Sequence, residues 1–218
     1  MASLLHVKIC GITSEADASQ AAELGADAIG LNFYTASPRY VRPERAAAIL
    51  RALPPFVDPV GLFVEQKLSE IVDFVKPFGR IRTIQYHGRD HEISNPFPYR
   101  FIPAFHVGGR SDLQAIDRYL AACREASYAP DAIVIDAHVP GRYGGTGRTA
   151  PWETVASFRP DVPVILAGGL TPENVALAVR TVRPYGVDVA SGVEDRPGHK
   201  DPEKMRRFIE AAREAYGA

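Results

Sequence analysis

Two cysteines in 218 residues, Cys10 and Cys123, are too few and too far apart for a disulfide framework. Their scarcity excludes the stapled secreted scaffolds and points to a reducing compartment, the cytoplasm. An excess of charge of one sign is also missing. The formal net charge is −1 and no basic stripe is visible, so neither a nucleic-acid nor a membrane partner is expected. No apolar run approaches a membrane span. The opening MASLLHVK lacks the charged-then-apolar layout of a secretory signal. The patterns HExxH and CxxC are absent, as are clustered carboxylates, and no metal site is expected. Neither a GxSxG elbow nor a P-loop occurs. No linker or low-complexity segment divides the chain. What is abundant is apolar residue: the 46% hydrophobic fraction supports a full core, and the length suits a single domain over residues 1–218.

The apolar residues come in a repeating arrangement. Short β-branched runs recur at LLHVKIC (4–10), ADAIGLNF (26–33), VDPVGLFV (57–64), RIRTIQYH (80–87), RFIPAFHV (100–107), DAIVIDAH (131–138), VPVILAGG (162–169) and GVDVASG (186–192). Between most of them the period changes to that of a helix. SEADASQAAELG has apolar Ala18, Ala21, Ala22 and Leu24, with Gly25 at the C-terminal cap position. RPERAAAILRAL places Pro43 near a first helical position. SDLQAIDRYLAACREAS opens with Ser111 as an N-cap, TPENVALAVRTVRP with a capped Thr-Pro-Glu start, and DPEKMRRFIEAAREAYG closes the chain. Repeated βα units favour a parallel sheet, because parallel strands need a crossover. Eight of them predict a small (β/α)8 barrel, a fold of ~250 residues in typical members. A doubly wound open sheet is the structural rival. One unit is deficient: in RDHEISNPFPY (89–99), Asn95, Pro96 and Pro98 leave little room for the fourth helix, which is expected to be missing or shortened.

Active sites of such barrels lie at the C-terminal ends of the strands. Strand one ends in Cys10-Gly11, and strand two leads into NFYTASPRYV. Strand four ends in Gln85-Tyr86-His87-Gly88. Strand six ends in Asp136, strand seven in Ala167-Gly168-Gly169 and strand eight in Ser191-Gly192. Glycines after strands seven and eight let backbone N–H groups approach a phosphate, although tight turns alone would also use them. GGTG (144–147), with Gly145 and Gly147, offers a further backbone contact or a flexible cover.

Cys10 is either a small core residue or a reactive thiol. Lys8, two residues earlier, shares its face. A cation there would lower the thiol below its ordinary ~8.5. An inward Lys8 needs a partner, and Asp188 on the neighbouring eighth strand is the candidate. Cys123, mid-helix, is read as an inert hydrophobe. Asp136 is either a turn residue or a general acid raised by burial. Arg39 carries a planar fork suited to a carboxylate, or it is a solvated loop residue. His87 and His106 read as satisfied core histidines.

Taken in order, KICGIT, NFYTASPRYV, VGLFV, IQYHG, the strand ending in Asp136, GGTG, LAGGLTPENV and DVASGVEDRPGHKDPEKM resemble the phosphoribosylanthranilate isomerase family of tryptophan biosynthesis, over nearly the whole chain. The resemblance implies an Amadori rearrangement of N-(5-phosphoribosyl)anthranilate to 1-(2-carboxyphenylamino)-1-deoxyribulose 5-phosphate. It implies Cys10 as general base, Asp136 as general acid and Arg39 as the grip on the anthranilate carboxylate. Gly168, Gly169, Ser191 and Gly192 would then hold the phosphate, with Gly145 and Gly147 from the GGTG loop. An aldose–ketose conversion moves hydrogen within one molecule, so no cofactor is expected. His199 has no assigned role, and the chain is expected as a monomer or homodimer. Two rivals remain. One is another phosphate-binding barrel enzyme, an epimerase or a histidine-pathway isomerase, although the latter typically uses two aspartates. The other is a noncatalytic phosphosugar-binding module.

Overall fold

The computed structural model describes residues 5–88, 97–137 and 152–217. Eight strands close into a barrel: β1 (His6–Cys10), β2 (Ala28–Asn32), β3 (Asp58–Val64), β4 (Thr83–His87), β5 (Arg100–His106), β6 (Ile133–Asp136), β7 (Val164–Ala167) and β8 (Gly186–Val189). Each pairs parallel with the next, and β1 pairs with β8 to complete the ring. All eight strands predicted from the sequence are present. The open-sheet rival is excluded, because closure leaves no edge.

The helices are α1 (Glu15–Glu23), α2 (Pro43–Ala52), α3 (Leu68–Val75), α4 (Arg110–Glu125), α5 (Trp152–Ala156), α6 (Val175–Val182) and α7 (Pro202–Gly217). Local chemistry sets their ends. The Ser14 hydroxyl accepts from the Asp17 N–H at the start of α1, and Gly25 follows its end with φ +95°. Pro43 is the first residue of α2, and the Arg80 guanidinium donates to the carbonyls of Leu50, Leu53 and Pro54 where that helix stops. α4 begins one residue before the predicted Ser111 cap. The Asp112 carboxylate reaches back to the N–H groups of Gly108 and Gly109, so Gly109 is the cap. The Thr-Pro-Glu of 171–173 forms the turn before α6, whose cap is Asn174. Two helices carried no clear sequence signal. α3 follows Lys67, which makes no side-chain cap bond, and α5 has only five described residues, too few to show a period. No helix is described between β4 and β5, as expected for the fourth unit, although residues 89–96 of that segment lie outside the described residues. Among the described residues no helix is long and apolar enough to cross a membrane.

Strand alternation makes two cores. Outward residues such as Val7, Ile9, Ile29 and Ile135 are fully buried against the helices in the larger one. Inside the barrel a small cluster, Ala104, Val134 and Ala167 with Ile102 and Ile165, fills the side formed by β5, β6 and β7. The inner wall of β1 is polar instead, with Lys8 and Cys10. Gly30, the partner of Cys10 on β2, leaves room for them: a Cβ there would lie 2.6 Å from the Cys10 Sγ and 3.1 Å from the Lys8 Nζ. After β8 a 3-10 turn (Ser191–Val193) leads into a hairpin, β9 (Glu194–Arg196) and β10 (His199–Lys200), ahead of α7.

Phe63 anchors α3 to the barrel, with ring centroids 5.2 Å from Phe33 and 5.8 Å from Phe74. Phe63→Ala therefore costs about 3–5 kcal/mol through lost burial and a residual cavity. Urea unfolding should show a lower midpoint with an unchanged slope.

Candidate active site

A cavity of about 590 Å³ opens at the C-terminal ends of the strands. Cys10, Arg39, Asp136, Gly168, Gly169, Ser191 and Gly192 all line it, brought from the loops or ends of β1, β2, β6, β7 and β8. Gly145 and Gly147 lie outside the described residues.

Cys10 and Asp136 both line the cavity, from strands three apart around the ring. Beneath Cys10 the Lys8 Nζ donates to both Asp188 oxygens at 2.9 Å. The partner inferred from strand adjacency is thus present, and the two residues stand in direct register on β1 and β8. Burial by itself would lower the Lys8 ammonium, but the charge and hydrogen bonds of Asp188, together with those of Cys10, outweigh it and hold Lys8 above the ordinary lysine value. Lys8 pulls the Cys10 thiol down, as expected, but burial decides the outcome. Burial pushes the Cys10 thiol up, Lys8 pulls it down, and Asp188 pushes it up again, leaving it above an ordinary thiol. Burial is the largest of these effects and Lys8 the next.

Two glycines after β7 adopt left-handed backbone, Gly168 at φ +91° and Gly169 at φ +63°. The Asn174 amide donates to the Gly169 carbonyl and accepts from the Thr171 N–H, fixing the loop. Gly192 packs against this loop so closely that any Cβ would collide with the Leu170 carbonyl. The strand-seven and strand-eight loops therefore form one glycine-walled end of the cavity, with backbone amides unobstructed by side chains.

Arg39 lies at the cavity wall, already engaged. Its Nε and Nη2 each donate to a Glu194 oxygen at 2.7 Å. Lys200 donates to Glu194 Oε1 at 2.9 Å and to the Ala190 carbonyl at 3.0 Å. Burial opposes the Glu194 charge, but the bonds from Arg39 and Lys200 win and hold the carboxyl below the usual range. Burial lowers Lys200 below an ordinary lysine despite Glu194. Neither Glu194 nor Lys200 was singled out from the sequence. They lie in GVEDRPGHKD, which reads as a solvated polar loop, and only their presence in the matching stretch marked them. His199 beside them is exposed.

The two histidines differ from the expectation of core residues. His87 lines the cavity, and burial, reinforced by the Lys8 charge, lowers it to about 4. The Gln85 Nε2 lies 2.9 Å from its Nε2; an amide N–H can only donate, so the ring proton sits on Nδ1. His106 is largely exposed, with its Nδ1 3.5 Å from Asp136 Oδ2. It ends β5 in register with Asp136, where the strand leaves the core.

Comparison with known proteins agrees with this geometry. A family model described as N-(5'phosphoribosyl)anthranilate (PRA) isomerase matches residues 7–211. The N-(5'-phosphoribosyl)anthranilate isomerase of Geotalea daltonii is 46% identical over 216 residues, 99% of this chain and 100% of that one. The crystal structure of phosphoribosyl anthranilate isomerase from Thermotoga maritima superimposes with a TM-score of 0.82 at 37% identity, covering 96% of this chain and 98% of that one. A phosphoribosyl anthranilate isomerase in complex with reduced 1-(o-carboxyphenylamino)-1-deoxyribulose 5-phosphate superimposes at 0.78 and 35% identity, with the same coverage.

The balance of charges around Cys10 can be read by alkylation. In a Cys123→Ala background, the iodoacetamide rate should rise with a midpoint pH above the ~8.5 of a free thiol. Lys8→Met, which removes the only cation bonded to Asp188 among the described residues, should move that midpoint higher still and cost about 3–5 kcal/mol of stability. A wild-type midpoint at or below a free thiol would contradict the assignment.

Proposed function

The chain belongs to the N-(5'-phosphoribosyl)anthranilate isomerase family, an aldose–ketose isomerase of tryptophan biosynthesis, and we propose that Cys10, Asp136, Arg39 and the glycine-walled loops carry its reaction. The substrate is N-(5-phosphoribosyl)anthranilate and the product 1-(2-carboxyphenylamino)-1-deoxyribulose 5-phosphate. The observation that carries the residue roles is the layout of one cavity. A thiol and a carboxyl from strands three apart, an arginine fork and the glycines after β7 and β8 all line it.

Asp136 gives its proton to the furanose ring oxygen. The C1–O bond breaks, and the nitrogen lone pair forms a protonated Schiff base. Cys10, as thiolate, removes the C2 proton. The C2–H electron pair becomes a C1–C2 double bond, and the C=N pair returns to nitrogen. The enolamine then ketonises, with C1 gaining a proton and the C2 hydroxyl losing one. C1 is reduced and C2 oxidised within one molecule, so the equation closes without an external redox partner. Burial holds the resting Cys10 thiol protonated. The cationic Schiff base brings a positive charge to the same wall, and that charge favours the thiolate at the step that needs it.

Gly168, Gly169, Ser191 and Gly192 hold the phosphate through backbone amides, and Arg39 holds the anthranilate carboxylate. Fixing both anionic ends places C1 and C2 between acid and base. Gly145 and Gly147 complete the phosphate side in this reading. The chain acts as one catalytic domain in the cytoplasm, where a labile intermediate passes between biosynthetic steps. Every residue invoked comes from one chain, so a monomer or a homodimer would each hold a complete site.

Turnover of freshly made substrate tests the assignment. Cys10→Ala and Asp136→Asn should each lower kcat by roughly 10²–10⁴-fold while the circular dichroism spectrum stays unchanged. Retention of activity in both variants would discard these roles. The reaction needs Cys10 deprotonated and Asp136 protonated at once, so kcat/KM of the wild type should be bell-shaped, with its alkaline limb above the ordinary thiol range, where the raised Cys10 thiol titrates.

A further inference from the structure

Glu194 and Lys200 do no chemistry in the reaction above, yet both charges are withdrawn from water. The Glu194 side chain is 4% exposed and that of Lys200 0%. Buried ion pairs are rarely a net source of stability compared with apolar packing. A pair retained beside a ligand cavity therefore calls for another reason, and the geometry of Arg39 supplies one.

A guanidinium has two forks. On Arg39 the side-on fork, Nε with Nη2, is closed by Glu194 in a bidentate pair. The end-on fork, Nη1 with the second Nη2 hydrogen, meets no acceptor among the described residues. The stem is fixed as well. It lies across Gly11, where a Cβ would come within 2.5 Å of the Arg39 Cδ. Glu194 is itself held. Lys200 donates to its carboxylate, and Lys204 donates to its backbone carbonyl at 2.7 Å. With stem and one edge immobile, a single donor pair is left, in a single plane, for a ligand.

We propose that Glu194 is a positioning residue for substrate recognition: it locks the side-on fork of Arg39, so that only the end-on fork is offered, pre-aimed, to the carboxylate of the substrate. Lys200 donates to the same carboxylate and anchors the clamp to the Ala190 carbonyl, one residue before the Ser191–Gly192 loop. The hairpin thereby fixes the carboxylate grip relative to the phosphate end. A rotamer-rich arginine would otherwise be ordered on binding, at an entropic cost to affinity. The inference rests on Arg39 holding the substrate carboxylate, and the test separates the two.

Binding of two probes is measured by calorimetry: reduced 1-(2-carboxyphenylamino)-1-deoxyribulose 5-phosphate and the same molecule without its carboxyl group. Arg39→Met should weaken the first and spare the second. Glu194→Gln turns an acceptor into a donor facing Arg39, and should do the same by roughly 10- to 100-fold. In turnover it should raise KM while kcat stays within about threefold. Because Glu194→Gln leaves Lys200 buried without its carboxylate, the double variant Glu194→Gln/Lys200→Met is measured beside it. The double variant should recover thermal stability yet keep the selective loss. Carboxylate selectivity retained in both Glu194 variants but lost in Arg39→Met would overturn the positioning role alone. Selectivity retained in all three variants would overturn the Arg39 assignment and this inference with it. Equal weakening of both probes in the Glu194 variants would show a merely structural role and also overturn the proposal.

Discussion

The Lys8–Asp188 pair is the constraint around which the rest is arranged. It joins the first strand to the last at the seam where the barrel closes, with the two Cα positions in register. A slip of one residue would turn Lys8 outward and bury an unpaired carboxylate, so the pair penalises the wrong register steeply. The register it selects fixes the height at which every strand ends, and the cavity is built from those ends. Space for the pair comes from Gly30 on the next strand, where no side chain fits.

Above that pair stands a second tier of alternating charge, Arg39, Glu194 and Lys200, contributed by the loop after β2 and by the hairpin after β8. Cys10 lies within the field of both tiers, since Lys8, Asp188 and Lys200 all act on its thiol. Lys8 is paired with Asp188, Arg39 and Lys200 share Glu194, and burial is the largest influence on the thiol. The cavity therefore holds Cys10 as a protonated thiol at rest. A thiol in that state is less open to stray alkylation or oxidation, because the thiolate is the reactive form.

The end of the cavity proposed for the phosphate is built by a different means. The loops rely on left-handed glycines and on the tight contact between Gly192 and Leu170 to present bare backbone. In the proposed reading one end of the cavity would take an anion on backbone amides and the other on a clamped guanidinium, two modes that differ in the geometry they demand and so would give an elongated substrate only one direction in which to lie.

Much of this was legible along the chain. Apolar runs of strand length alternating with helical period determine a repeated βα fold, because the two periods cannot exchange. Eight of them close into a ring, which puts strand one beside strand eight and makes Lys8 and Asp188 neighbours. Cys10, Asp136 and the paired glycines are marked by standing at strand ends. The helix starts at Arg110 and Leu68 were not legible, because their caps come from Asp112 reaching back or from no side chain at all. The sign of the Cys10 shift was not legible either. Sequence places a cation two residues away, but the outcome depends on burial and on a carboxylate from another strand. The Arg39–Glu194 clamp joins residues 155 positions apart, and nothing local in GVEDRPGHKD says that its charges point inward. Local periodicity is a short-range property, and so the sequence alone determined the elements and their order. Desolvation and pairing are properties of distance in space, and only the closed barrel decided which charges are matched and which donor edge is left for a ligand.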